Sequence, residues 1–230
     1  MQSLKAHQRA LLWAAGFSVA AWFVPILWWI QLPLEYLNAH THELCHALVA
    51  VATGGQVHHI NVFADGSGLT PVAGGMLIPV ASAGYVGATL VGLLVMAASR
   101  TEMGAKTALR LLAVVLASSL VLWVRGDAVG VLSGVAWVVA LLVAANLLKG
   151  PSLLFAAQLV AIQQCLTSLQ NLLVLQRLTL ATQRQSDATI LYQATGIHAT
   201  VWAIGWTVLS LWLVTATVRW AWGQRVSRPA

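Results

Sequence analysis

Long apolar runs, broken by short polar or glycine-containing segments, set the pattern of this chain. Runs of bilayer-crossing length cover 10–31, 34–52, 76–98, 108–124, 128–148, 152–175 and 200–222. About 20 apolar residues in a helix span a hydrocarbon core roughly 30 Å thick. Breakers stand between several runs: Pro33, Gly54-Gly55, Arg125-Gly126-Asp127 and Gly150-Pro151. Trp28, Trp29, Trp220 and Trp222 fall near run ends, where indole rings anchor at the membrane interface. The pattern predicts an all-α polytopic membrane protein with about six to seven transmembrane helices. No linker, low-complexity tract or strong repeat divides it, so residues 1–230 read as a single domain.

Two stretches resist the helical reading. From Gly54 to Gly75 the chain runs GGQVHHINVFADGSGLTPVAGG, with β-type alternation at Val57, Ile60 and Val62 broken by Asp65-Gly66-Ser67-Gly68. This predicts a short Gly-rich hairpin or re-entrant loop, which is tolerated near membrane depth only when buried in protein or lining a cavity. The second stretch, 176–198, is polar and holds Arg177, Arg184 and Asp187.

Composition agrees with a membrane protein. The chain is 59% hydrophobic and 8% charged, with mean hydropathy +0.81, whereas soluble domains carry about 25% charged residues. The net charge of +6 comes from clusters that flank apolar runs: Lys5 and Arg9; Arg100, Lys106 and Arg110; Arg219, Arg225 and Arg228. That distribution anchors a chain in a membrane and is not the basic stripe of a nucleic-acid binder. Counted along seven spans, an outside N-terminus puts the second and third clusters inside but leaves Lys5 and Arg9 outside. The first run is too long for a signal peptide and lacks a small-residue cleavage pattern, so it reads as a retained anchor. Cys45 and Cys165 are isolated in apolar segments and read as buried thiols, not a disulfide pair.

The chemistry is concentrated in His42-Glu43-Leu44-Cys45-His46. On a helix, His42 and His46 lie one turn apart on one face and can share a Zn²⁺, with Glu43 beside them as general base. Cys45 points away from that face. Two imidazoles and a carboxylate in an apolar span are costly unless they face a protein-lined or watery cavity. A catalytic zinc takes three protein ligands, so a third comes from elsewhere. Glu35 is two turns from His42, Glu102 lies in a basic connection, Asp127 suits a helix N-cap, and Asp65 belongs to a turn. Asp187, in Ser186-Asp187-Ala188-Thr189, reads equally as a ligand and as a helix N-cap.

The remaining histidines have simpler readings. His40 is about 160° around the helix from His42 and suits a hydrogen-bonded role. His58 and His59 belong to the loop, and His198 is interfacial. Gly84, Gly87 and Gly92 suit close helix packing.

Taken together, HELCHALVAVATGGQV, DGSGLT, AGYVGATLVG and SDATILYQATGI followed by Trp202 resemble the site-2 protease-like intramembrane metallopeptidases, in their compact bacterial B-type branch. The resemblance covers 36–206. It implies one Zn²⁺ per chain held by His42, His46 and an aspartate that falls on Asp187, with Glu43 as the catalytic base. It places the chain in a bacterial cytoplasmic membrane, in contact with lipid and a membrane-protein substrate. Asn171 falls to the substrate-positioning asparagine, although the larger family's N-x-x-P…L-D-G pattern is not present. The implied activity is hydrolysis of peptide bonds in membrane-spanning substrates. The alternative is a non-proteolytic membrane protein that keeps the site for metal or for a transmembrane partner.

Overall fold

A computed structural model describes residues 4–24, 28–181 and 186–223, without the side chains of 22, 23, 28–30, 173–181 and 223. Arg184, Arg225 and Arg228, and the side chains of Trp28, Trp29 and Arg177, therefore lie outside the described residues. In chain order the elements are α1 (Ala6–Phe23), α2 (Trp28–Ala52), β1 (Gln56–Val57), β2 (Asn61–Val62), β3 (Gly68–Leu69) and β4 (Val72–Ala73). They continue with α3 (Leu77–Ala98), α4 (Glu102–Leu122), α5 (Ala128–Leu147), α6 (Gly150–Ala181), α7 (Asp187–Thr195) and α8 (Ala199–Gly223). Helices α3, α4, α5, α6 and α8 are long and apolar enough to cross a membrane. The chain is an all-α, multi-pass integral membrane protein.

The expected break at Pro33 does not occur. Pro33 lies inside α2, in its second turn, where its missing N–H forfeits one helix bond. Its carbonyl accepts a hydrogen bond from Trp137 Nε1 at 2.6 Å. The span expected over 34–52 thus starts earlier, at Trp28. The polar stretch before the last span also holds a short helix of its own, α7.

Helices α3 and α6 form the centre of the bundle. Of their apolar windows 61% and 67% are buried, against 17% for α8, whose surface faces lipid. They approach closely at Gly92, where an added Cβ would meet Ala161 O and Cys165 Sγ, each at 2.7 Å. Small residues allow such contact between membrane helices. Gly92→Ala is expected to destabilise the bundle by about 1–3 kcal/mol through overpacking. The check is the midpoint of SDS- or heat-induced unfolding of the solubilised protein; an unchanged midpoint would mean the helices separate there at no cost.

Helices α2 and α6 run in the same direction: Leu34 lies beside Leu159 and Val160, and Asn38, a turn later, bonds to Gln164 and Ser168. Asn38 Nδ2 donates to Gln164 Oε1 at 2.9 Å, Gln164 O at 3.2 Å and Ser168 Oγ at 3.3 Å. Asn38, Gln164 and Ser168 are buried, and polar groups in so dry a setting persist only when paired. Helix α6 therefore delivers the chain to the end of the bundle that α2 also reaches.

The Gly54 to Gly75 segment is the expected hairpin. Its outer ladder pairs Gln56 with Ala73 and Val57 with Val72, and its inner ladder pairs Asn61 with Leu69 and Val62 with Gly68, both antiparallel. At the tip, Asp65 Oδ1 accepts from Ser67 N at 3.0 Å and Ser67 Oγ at 2.6 Å, and Gly66 takes φ +81°, as that turn requires. The hairpin lies along α2, where the Tyr36 hydroxyl donates to Ala64 O at 2.9 Å. It is also sewn to the α4–α5 connection. Ile60 N donates to Trp123 O at 2.8 Å, and Arg125 N donates to Ile60 O at 3.1 Å. Ile60 and Val62 are fully buried, so the irregular backbone is covered by protein.

The described members of the three basic clusters do not fall on two sides. Leu11 packs in one cluster with Met96 and Val218, the Arg100 guanidinium lies 4.8 Å over the Trp220 ring, and Arg9 shares a cleft with Ser152. The start of α1, the α3–α4 connection and the end of α8 thus share one end of the bundle, and the conflict from counting seven spans disappears.

Candidate metal centre

The motif helix presents its two histidines to α3. His42 and His46 have ring centroids 4.8 Å apart at 72°, as one helical turn requires. The facing position on α3 is Gly84. A Cβ there would collide with His42 Nε2 and His46 Nε2, so the absence of a side chain opens the space both rings occupy. Gly87, one turn on, receives Cys45, whose Cβ and Sγ lie 2.7 Å from where a Gly87 Cβ would stand. Cys45 is thus a packing residue at the α2–α3 contact, and both cysteines are free thiols.

The third member comes from α7. Asp187 Oδ2 lies 3.5 Å from His42 Nε2 and 3.4 Å from His46 Nε2. Among the described residues, His42, His46 and Asp187 form a group whose ligand atoms all lie within 4.8 Å of one another. The capping role left open for Asp187 belongs to its neighbour. Ser186 is the N-cap, and Ser186 Oγ accepts from Thr189 N at 3.3 Å in a capping box. With the helix end already satisfied, the Asp187 carboxylate is free to face the histidines.

The donor set suits a zinc-sized ion. A tetrahedral shell with bonds of about 2.0–2.1 Å has ligand atoms about 3.3 Å apart, close to the two His–Asp separations. A direct charge-assisted hydrogen bond would be about 2.7–2.9 Å, shorter than either. His46 Nδ1 lies 2.6 Å from Val80 O. A carbonyl can only accept, so Nδ1 carries a proton, which leaves Nε2, on the side of Asp187, as the nitrogen available to a metal, the usual arrangement of a metal-ligating imidazole. Tyr85 closes the outer side, edge-on to His42 at 4.6 Å and stacked on Trp206 at 5.4 Å. Trp206 is itself fixed by Nε1 donating to Ser82 Oγ at 3.0 Å.

Glu43 turns to the hairpin. Its carboxylate Oε2 accepts from the Thr70 hydroxyl at 2.6 Å, and it is only 6% exposed. A Cβ at Gly68 would collide with Glu43 Oε1, so Gly68 leaves room for the carboxylate beside β3. Gly68 and Thr70 fall in the DGSGLT segment, but their contact with Glu43 is not legible there, because a threonine and a glycine after a turn carry no local signal of a partner some 25 residues earlier.

Other expected residues lie elsewhere. Glu35 sits against the hairpin tip near Gly66. Asp127 caps α5, accepting from Val129 N at 2.8 Å. Glu102 opens α4 behind its cap, Thr101. His40 Nε2 bonds to Ser133 Oγ at 3.0 Å. His58 is exposed and His59 half-buried on the hairpin, while His198 Nδ1 accepts from Thr200 N at 3.3 Å. Asn171 Nδ2 donates to Asn38 Oδ1 at 3.5 Å, on the α2–α6 contact.

No curated protein and no solved structure matches the chain. The model of one family, described as Peptidase M50B-like, matches residues 11–217. That range takes in the motif helix, the hairpin and the Ser186-Asp187 segment, and the chain belongs to the Peptidase M50B-like family.

Proposed function

We propose that this protein is an intramembrane zinc metalloprotease that hydrolyses peptide bonds of membrane-spanning substrates. The observation that carries the reading is the convergence of His42 Nε2, His46 Nε2 and Asp187 Oδ2 on the helix that also bears Glu43. In this reading His42, His46 and Asp187 hold one Zn²⁺. When bound, the ion polarises the scissile carbonyl and brings the pKa of its water to about 7.

The chain's own groups do the rest. Glu43 takes a proton from the attacking water and returns it to the leaving amine. The Thr70 hydroxyl, donating to Oε2, orients the carboxylate so that Oε1 is the oxygen left to act. Tyr85 and Trp206 hold the His42 ring and keep lipid out. The hairpin beside Glu43 offers a backbone edge against which an unwound substrate segment can pair, and Asn171 is the candidate for positioning it from α6.

Metal analysis and cleavage of a membrane-spanning substrate by the purified protein test this reading, with His46→Ala alongside. Wild type is expected to carry one zinc and to cleave, and His46→Ala to lose both. Zinc retained at the wild-type level in His46→Ala would remove the site. Zinc-loaded wild type that cleaves no membrane substrate would transfer the reading to a metal- or partner-binding protein.

A further inference from the structure

The end of the bundle opposite the His–Asp cluster carries its own cavity. Helices α1 and α6 part over a cleft of about 400 Å³, within the range of roughly 300–1,000 Å³ usual for small-molecule sites. Its walls are apolar, with Ala10, Trp13, Pro151 and Phe155 among them, and its polar lining is Arg9 and Ser152. Trp13 is 73% exposed, on the outer surface of a membrane protein, so the cleft opens toward lipid. The Ser152 hydroxyl proton is taken by Lys149 O at 2.8 Å. The Arg9 guanidinium has no hydrogen-bond or ion-pair partner among the described residues, and Lys149 stands exposed at the start of α6.

The surrounding charge has one sign. Arg100 and Arg219 belong to the same end, and Glu102 is its one carboxylate among the described residues. A guanidinium without a partner among the described residues, in an apolar cleft at a membrane surface, matches a ligand with a phosphate at one end and hydrocarbon at the other. A free phosphate would satisfy Arg9 but leave the apolar walls unfilled.

We propose that the α1–α6 cleft binds one anionic phospholipid, with its phosphate on Arg9 and an acyl chain against Trp13 and Phe155. The site is separate from the His–Asp cluster and independent of the peptidase reading.

Native mass spectrometry of the full-length protein, offered equal amounts of phosphatidylglycerol and phosphatidylcholine with identical acyl chains, tests it. Wild type is expected to retain phosphatidylglycerol with a preference of about five-fold, the effect of one basic contact at a membrane surface. Arg9→Gln should bring the two lipids to parity, and Arg9→Lys should keep most of the preference. Because Arg9 is exposed, these variants leave the packed core intact, and an unchanged unfolding midpoint verifies it. Equal retention of both lipids by wild type would overturn the proposal. A preference that survives in Arg9→Gln, or displacement of the lipid by millimolar inorganic phosphate, would do the same by assigning the charge recognition elsewhere or to a free anion.

Discussion

Glu43→Gln is expected to lower cleavage of a membrane-spanning substrate by about 10²–10⁴-fold, the range for loss of a general acid–base group, while zinc content stays at the wild-type level. Glutamine matches glutamate in shape, and its amide oxygen can still accept from the Thr70 hydroxyl that bonds Oε2. The close packing of β3 around Gly68 is therefore kept. What disappears is the ability to take a proton and return it. Single-turnover cleavage with parallel metal analysis separates the two effects. A variant that cleaves at the wild-type rate would sink the role given to Glu43, and one that loses zinc would show Glu43 to be part of the metal shell.

Asp187→Ala is expected to weaken zinc retention by at least about 100-fold, beyond what the loss of an outer-shell partner causes, and to abolish cleavage with it. The natural objection is that any change at the start of α7 simply unravels that helix. Ser186→Ala answers it. Ser186 supplies the cap, so its loss destabilises α7 by about 1 kcal/mol but leaves the carboxylate in place, and zinc should remain. In Asp187→Ala the capping box between Ser186 and Thr189 is untouched, so the helix should hold while the metal is lost. Full zinc occupancy in Asp187→Ala would exclude the residue as a ligand, and zinc lost equally in both variants would trace the effect to the helix.

Ser186 and Asp187 also show where sequence reading reaches its limit. His42 and His46 are legible because their spacing alone places them on one face of a helix. Ser186-Asp187 carries two residues that each cap helices well, and only the hydrogen bonds of the folded chain decide which of them does so. The hairpin was legible from its Asp-Gly turn and alternating apolar residues. Its bridge from Ile60 to Val124 was not, because the register between segments some 60 residues apart is set by packing and leaves no local trace. Pro33 misled for a related reason: it forfeits one helix bond, but the Trp137 indole that bonds its carbonyl lies on α5, 104 residues later, and leaves no trace beside it in the sequence. The described members of the three basic clusters share one end of the bundle, which counting spans along the chain does not bring out.

The His–Asp cluster joins the first quarter of the chain to its last. Some 140 residues separate His46 from Asp187, and at synthesis rates of about 5–20 residues per second the aspartate follows the histidines out of the ribosome by roughly 7–28 seconds. During that interval α2 through α6 are already being laid into the bilayer with two histidines and no carboxylate between them. A chain interrupted before α7 therefore has an incomplete cluster, and the membrane in which it is being made, crowded with other nascent helices, is not exposed to a finished site until the protein itself is nearly finished.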